Sequence, residues 1–211
     1  MKSLFNHLFL LLIILIILIL ILILFKNLIF ITNENFLNNK TIILLGDSIL
    51  NNSKYVKNIE SIPYLLNHSE YLLLNLAQDN ANISNVYNQL NKIPLELNNS
   101  NTYIFLSIGG NDILNGFQLQ TVIEKYNILI DSIIIRFTNI HLILLNLYFP
   151  FELDKKYRNE IIIWNNNIKK YKYYIDLASI LNKPEDFVSI IEPSKTGSIK
   201  IYNSIINYVS K

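Results

Sequence analysis

Four consecutive apolar residues, Ile42-Ile43-Leu44-Leu45, run without polar alternation straight into Gly46-Asp47-Ser48. Such a run is expected of a strand covered on both faces, as in a parallel sheet flanked by helices. Gly46 permits a sharp exit, and Asp47 can hydrogen-bond nearby backbone to hold the turn. In open α/β sheets ligands bind beyond the carboxyl ends of the strands, so Ser48 stands where a substrate is expected.

The same pattern returns about sixty residues later. Thr102-Tyr103-Ile104-Phe105-Leu106-Ser107 reads as a second buried strand, ending in Ile108-Gly109-Gly110-Asn111-Asp112. Between them Tyr71–Leu76 is a strand candidate leading into Ala77-Gln78-Asp79-Asn80-Ala81. Helical spacing covers 83–93, 119–137 and 157–173, His141–Leu147 and Tyr174–Leu177 read as further strands, and 199–209 forms a last helix. Strands alternating with helices predict a flavodoxin-like three-layer α/β/α sandwich with a parallel sheet.

Gly46-Asp47-Ser48 followed by Gly109-Gly110-Asn111-Asp112 resembles the SGNH (GDSL-type) hydrolase superfamily from about Lys40 to the C-terminus. The resemblance implies Ser48 as nucleophile, and an oxyanion hole built from the Asn111 side chain and backbone N–H groups, with Gly110 and the residue at position 80 contributing. Such donors act because they are already aimed at the charge that develops in the transition state. The two glycines before Asn111 are expected to let backbone approach the substrate closely. The superfamily pattern has glycine at position 80, and here Asn80 replaces it. Asn is the non-glycine residue most tolerant of positive φ, so the donor geometry is expected to survive.

The end of the chain departs from the superfamily. Its Asp-x-x-His-Pro is represented by Ser189-Ile190-Ile191-Glu192-Pro193, with Glu192 where the histidine belongs and Ser189 where the aspartate belongs. The three histidines are His7, His68 and His141, and their positions favour structural roles. Glu192 is therefore the candidate base, provided that burial raises a carboxyl that otherwise titrates about two units below imidazole. Alternatively it caps the turn before Pro193, or the site is degenerate. Asp186 is a spare carboxylate in the same region.

Upstream of the domain, Leu8 to Phe25 is 18 consecutive apolar residues, bounded by His7 and Lys26. That length suits a transmembrane helix, and no small-x-small cleavage site follows it. The expected organisation is an anchor over 1–31, a polar tether over 32–39 and the hydrolase-like domain over 40–211, in a single-pass membrane protein. Lys2 stands against Lys26 and Lys40, so the positive-inside count leaves the orientation open. A net charge of +2 offers no argument for nucleic acid. Cysteine is absent, which excludes disulfides and thiolate metal sites. No motif calls for a metal or cofactor. The 31 asparagines and 39 isoleucines are a bias of the kind A/T-rich coding produces. Two readings follow: a membrane-anchored ester hydrolase acting on acylated carbohydrate or lipid, or a catalytically impaired relative that binds a glycan or lipid without turnover.

Overall fold

The computed structural model describes residues 14–24, 26, 39–150 and 155–211. Two compact units divide the chain, Met1–Asn38 and Asn39–Lys211. In the first, residues 14–24 are helical and their side chains are all exposed. Among the described residues no helix is long and apolar enough to cross a membrane, so the expected transmembrane helix is not found there. Residues 8–13 and 25 of that span, and 32–38 of the tether, lie outside the described residues.

The second unit runs β1 (Thr41–Gly46), α1 (Ile62–Asn67), β2 (Leu72–Asn75), α2 (Ile83–Leu90), β3 (Thr102–Ser107), α3 (Gly110–Leu114), α4 (Leu119–Arg136) and β4 (His141–Leu145). It continues with α5 (Lys155–Ile168), β5 (Tyr174–Ile175), α6 (Leu177–Ile180), β6 (Phe187–Val188), β7 (Glu192–Pro193) and α7 (Lys195–Val209). Five parallel strands form one sheet in the order β2-β1-β3-β4-β5, the doubly wound order anticipated from the alternating elements. β1 lies inside the sheet, between β2 and β3, and is wholly buried, which is why it carries no polar alternation. Its register with β3 runs from Thr41 opposite Thr102 to Gly46 opposite Ser107, so the serine turn and the Gly109–Asp112 turn emerge side by side.

Helices cover both faces of this sheet. One group joins α1 to α7, and the other joins α2 to α4 and α4 to α5. Each long helix buries a stripe at 3.6-residue spacing: Val122, Ile123, Tyr126, Leu129, Ile130 and Ile133 in α4, and Ile201, Ile205 and Val209 in α7. Burial of a full aliphatic side chain is worth roughly 1.5–3 kcal/mol, and these stripes together with the sheet form one continuous core. Helix starts are set by side-chain caps: Asn82 and Asn85 form a reciprocal capping box on α2, and Ser194 accepts from the Gly197 N–H on α7.

Several boundaries differ from those expected. α7 begins at Lys195 rather than 199, because the Ser194 cap opens it one turn earlier. α5 stops at Ile168 rather than Tyr173, and the Tyr174 strand is two residues long and yields at once to α6. The antiparallel β6–β7 hairpin was not expected at all. Two-residue strands offer no periodicity to read, yet this hairpin pairs Val188 with Glu192 and thereby places the candidate base.

Candidate active site

β1 ends at Gly46, whose φ is +124°, and a Cβ there would come within 1.7 Å of the Ser107 carbonyl oxygen. Only glycine fits a strand exit so close to its neighbour. The turn then winds into a single helical turn in which the Asp47 carbonyl accepts from the N–H groups of Leu50 and Asn51. Asp47 Oδ1 accepts the Ile49 N–H at 3.1 Å, the local bond anticipated for it. Behind the turn, the buried Gln89 side chain on α2 grips the Gly46 peptide unit from both sides. It accepts the Gly46 N–H at 2.8 Å and donates to the Gly46 carbonyl at 2.9 Å. Ser48 is thus displayed on a turn whose backbone is fixed in place.

Ser48 Oγ donates to Glu192 Oε1 at 3.0 Å, across 144 residues of sequence. Both side chains are buried, Ser48 at 7% and Glu192 at 6% exposure. Several contacts hold the strand that carries Glu192. Tyr148 O–H donates to the Ile191 carbonyl, and Asn52 Nδ2 donates to the Pro193 carbonyl at 3.2 Å and to Ser198 Oγ at 2.6 Å. Burial raises the Glu192 carboxyl to about 7, against the lowering effect of the Ser48 hydrogen bond and with a further push from the Asp79 charge. Asp47 is raised to about 8, first by burial and then by the nearby Glu192 and Asp112 carboxyls, while its bond from Ile49 opposes the shift. At neutral pH the carboxyl on the serine is therefore poised to exchange a proton, and Asp47 is mostly neutral.

The other half of the site leaves β3. Gly109 adopts φ +105°, and a Cβ on it would lie 2.4 Å from the Trp164 ring. This corrects the reading of both glycines as room for substrate: Gly109 is needed for the buried indole of α5, whereas Gly110 lines the pocket and has space beside it. Asn111 Nδ2 donates one hydrogen to the Ala81 carbonyl at 2.8 Å. The amide carries a second hydrogen, and Asn111 lines the same pocket as Ser48 and Glu192. Asp112 Oδ2 accepts the Ile83 N–H at 3.1 Å, so consecutive residues of this turn pin the loop between β2 and α2.

Ser48, Glu192, Gly110 and Asn111 are brought together around one pocket. Asn80 has φ +58°, the left-handed conformation anticipated for it, but it is not among the pocket-lining residues. Its side chain donates to Asp79, and Asp79 is itself held by Lys54 and Tyr55. Ser189 occupies no acid's role. With φ +55° it turns the β6–β7 hairpin. Asp186 is tied to Lys200 at 2.7 Å and accepts the Asn182 and Lys183 N–H groups, which accounts for its burial structurally. His68 stacks on Tyr64 and His141 on Tyr103, both away from the pocket. Among the described residues no cluster suits a metal ion.

Sequence reasoning missed Gln89, Asn52 and Asn165, the last of which grips the Leu147 peptide unit from both sides at 2.9 and 2.6 Å. A signal existed for two of them. Gln89 and Asn165 fall in the apolar stripes of their helices, beside Val86 and Leu90 and between Ile161 and Ile168, where a polar residue must find a buried partner.

The architecture is a three-layer α/β/α sandwich whose pocket lies at the carboxyl edge of a parallel sheet. Solved structures give this architecture a narrower frame. A lipolytic protein of the G-D-S-L family from Veillonella parvula superposes with a TM-score of 0.67 at 18% identity, covering 81% of this chain and 98% of that one. The psychrotrophic esterase EstA from Pseudoalteromonas sp., described as inhibited by monoethylphosphonate, gives 0.62 at 17% identity over 82% of this chain and 100% of its own. The lipase Lip_vut3 from a goat rumen metagenome gives 0.60 at 19% identity, over 79% and 96%. The sequence matches no protein-family model and no curated protein. The fold is the one that these lipolytic and esterase structures share.

Proposed function

We propose that this chain is a serine ester hydrolase whose general base is a glutamate, held at the membrane by the apolar segment at residues 8–25. The observation that carries the reading is the 3.0 Å hydrogen bond from Ser48 Oγ to Glu192 Oε1, two buried side chains that line one pocket. Fold alone does not carry function, and the argument rests on this pair. Ser48 Oγ attacks the ester carbonyl carbon as its proton passes to Glu192. The carbonyl oxygen becomes an oxyanion that receives a hydrogen bond from Asn111 Nδ2 and from backbone N–H groups near Gly110. Collapse breaks the bond to the leaving alkoxide, which takes the proton from Glu192. Water then attacks the acyl-serine, giving its proton to Glu192, and the carboxylic acid departs as Ser48 recovers a proton.

A carboxyl raised to about 7 suits both duties near neutral pH, since it is a stronger base than an ordinary glutamate and a ready acid once protonated. The second reading, a binding protein without turnover, is favoured by one observation. Neither described histidine lies at the pocket, so the imidazole of the superfamily pattern has no substitute except Glu192. Hydrolysis of activated esters by the full-length protein, with Ser48→Ala as background, separates the two. A rate above that background supports the enzyme, and equal rates leave the binding module. Membrane anchoring rests on the apolar run, and recovery of the protein in the soluble fraction after carbonate washing contradicts it.

A further inference from the structure

Charge is distributed unequally between the two edges of the sheet. A helix that joins two parallel strands runs back to the amino edge, so the connections entering β2, β3, β4 and β5 gather there beside Lys40, which precedes β1. α7 ends at the same edge, where Lys40 Nζ donates to the Val209 carbonyl. These connections and helix ends carry Lys92, Arg136, Lys169, Lys170 and Lys172, all exposed, against Glu70 and Glu96. None of the five cations forms an ion pair among the described residues. Arg136 donates to Asn91 and Lys172 lies over the Tyr173 ring, so neither charge is neutralised. The described ion pairs lie elsewhere: Lys54–Asp79 and Lys195–Glu60 join connections at the carboxyl edge and the start of α7, and Lys200–Asp186 ties α7 to the segment before β6.

Helix C-termini account for part of this pattern, since cations there oppose the negative end of the macrodipole. They do not account for Lys172, which lies beyond the last turn of α5, or for the rings at the same edge. Tyr71 and Tyr103 are half-buried at the amino ends of β2 and β3, and the exposed His141 stacks on Tyr103 at 4.5 Å. Rings with an apolar body and a polar tip suit a lipid headgroup layer, and clustered lysines suit its anionic charge. The apolar run ends at Phe25, and the 14 residues 26–39 join it to Lys40 at this edge. They span at most about 50 Å, so a bilayer that holds the run lies within reach. Resting on the membrane-anchored reading, we infer that the amino edge of the sheet is a docking surface for an anionic lipid bilayer, with Lys169, Lys170 and Lys172 as its main contacts. The pocket lies at the opposite edge, so a domain docked in this way turns Ser48 away from the lipid and takes its ester from the aqueous side.

The chain has no cysteine, so single introduced cysteines report position. Thr138→Cys, in the exposed connection into β4, and Ser53→Cys, exposed beyond β1, each carry a fluorophore in full-length protein reconstituted into vesicles with nitroxide-labelled headgroups. The two positions mark opposite ends of strands about 20 Å long. In vesicles containing phosphatidylserine the Thr138→Cys probe is expected to lose fluorescence and the Ser53→Cys probe to keep it. Phosphatidylcholine alone, or molar salt, should remove that loss. Lys169→Glu, Lys170→Glu and Lys172→Glu combined should remove it too, with an unchanged far-ultraviolet spectrum. Equal loss at both positions, a greater loss at Ser53→Cys, or a loss indifferent to phosphatidylserine and salt overturns the assignment. An oligonucleotide that shifts the Thr138→Cys probe when phosphatidylserine does not makes the edge a nucleic-acid surface and overturns it as well. Extraction of the full-length protein by carbonate removes the anchor reading alone. Flotation then reads the edge: phosphatidylserine vesicles should bind the wild type at least about tenfold better than the triple variant, and equal binding overturns the docking surface.

Discussion

Glu192 has one carboxylate oxygen on Ser48 and the other, Oε2, buried with no hydrogen-bond partner. An orphaned buried oxygen is a cost to the fold, and it favours the protonated acid, in keeping with the raised carboxyl. In a serine–histidine–aspartate site a third residue orients the base. Here orientation comes from backbone, through Tyr148 on the Ile191 carbonyl and Asn52 on the Pro193 carbonyl. Tyr148→Phe is therefore expected to lower kcat while leaving the pH at which activity appears unchanged, because it loosens the base without altering its charge; pH–rate profiles of the two proteins check this. Asn111→Ala should cost roughly 10²–10³ in kcat, the usual penalty for removing one oxyanion donor, and steady-state kinetics with a saturating ester measure it. At this scale the placement of Ser48 and Asn111 was legible, since both stand just beyond apolar strands and line one pocket. The sequence was misleading at Gly109, whose reason is an indole 55 residues away that no local pattern reveals.

Among the elements, the parallel strands and the long helices could be read from apolar runs and 3.6-residue stripes because each carries many residues of consistent signal. The β6–β7 hairpin could not. It has two residues per strand, and its place is set by contacts with Tyr148 and Asn52, which lie far away in sequence. Ser189 at its turn holds φ +55° without being glycine, a conformation that costs an L-residue roughly 1–2 kcal/mol. Ser189→Gly should stabilise the protein by up to about 1 kcal/mol after glycine's larger unfolded-state entropy is deducted, and a urea titration of both proteins tests the sign. The amide clamp on β1 makes the opposite prediction. Gln89→Leu leaves the buried Gly46 N–H without its partner, while the Gly46 carbonyl keeps the Gln78 N–H, and should destabilise by roughly 1–3 kcal/mol. The asparagine-rich composition, which dilutes any single Asn as a sequence signal, turns out to supply several such clamps at the site edge of the sheet.

Over the whole molecule, three buried carboxyls among the described residues, Asp47, Asp112 and Glu192, are raised by burial and link folding to pH. Asp47 and Glu192 titrate at about 8 and about 7 when folded, against 3.8 and 4.5 unmodified, so near pH 6 the folded chain holds protons that the unfolded chain has released. Their contribution to stability is complete below about pH 4 and is lost as the pH rises through the folded values, amounting for Glu192 to on the order of 3 kcal/mol. Asp79, held below the usual range first by its bond to Lys54, contributes in the opposite sense and only in acid. Chemical denaturation between pH 5 and 9 should show stability falling, and Asp47→Asn should reduce the fall. On the proposed mechanism Glu192 acts in its ionised form, so activity is expected to improve over the same interval in which the fold weakens. The most direct test of the account is the pH dependence of kcat/KM for hydrolysis of a neutral p-nitrophenyl ester by the wild-type, Glu192→Gln and Ser48→Ala proteins. The wild-type rate should rise through pH about 7, with Glu192→Gln lower by roughly 10²–10⁴ and lacking that rise, and Ser48→Ala at background. A Glu192→Gln protein with the wild-type rate and profile, or a wild-type protein no faster than Ser48→Ala, would contradict it.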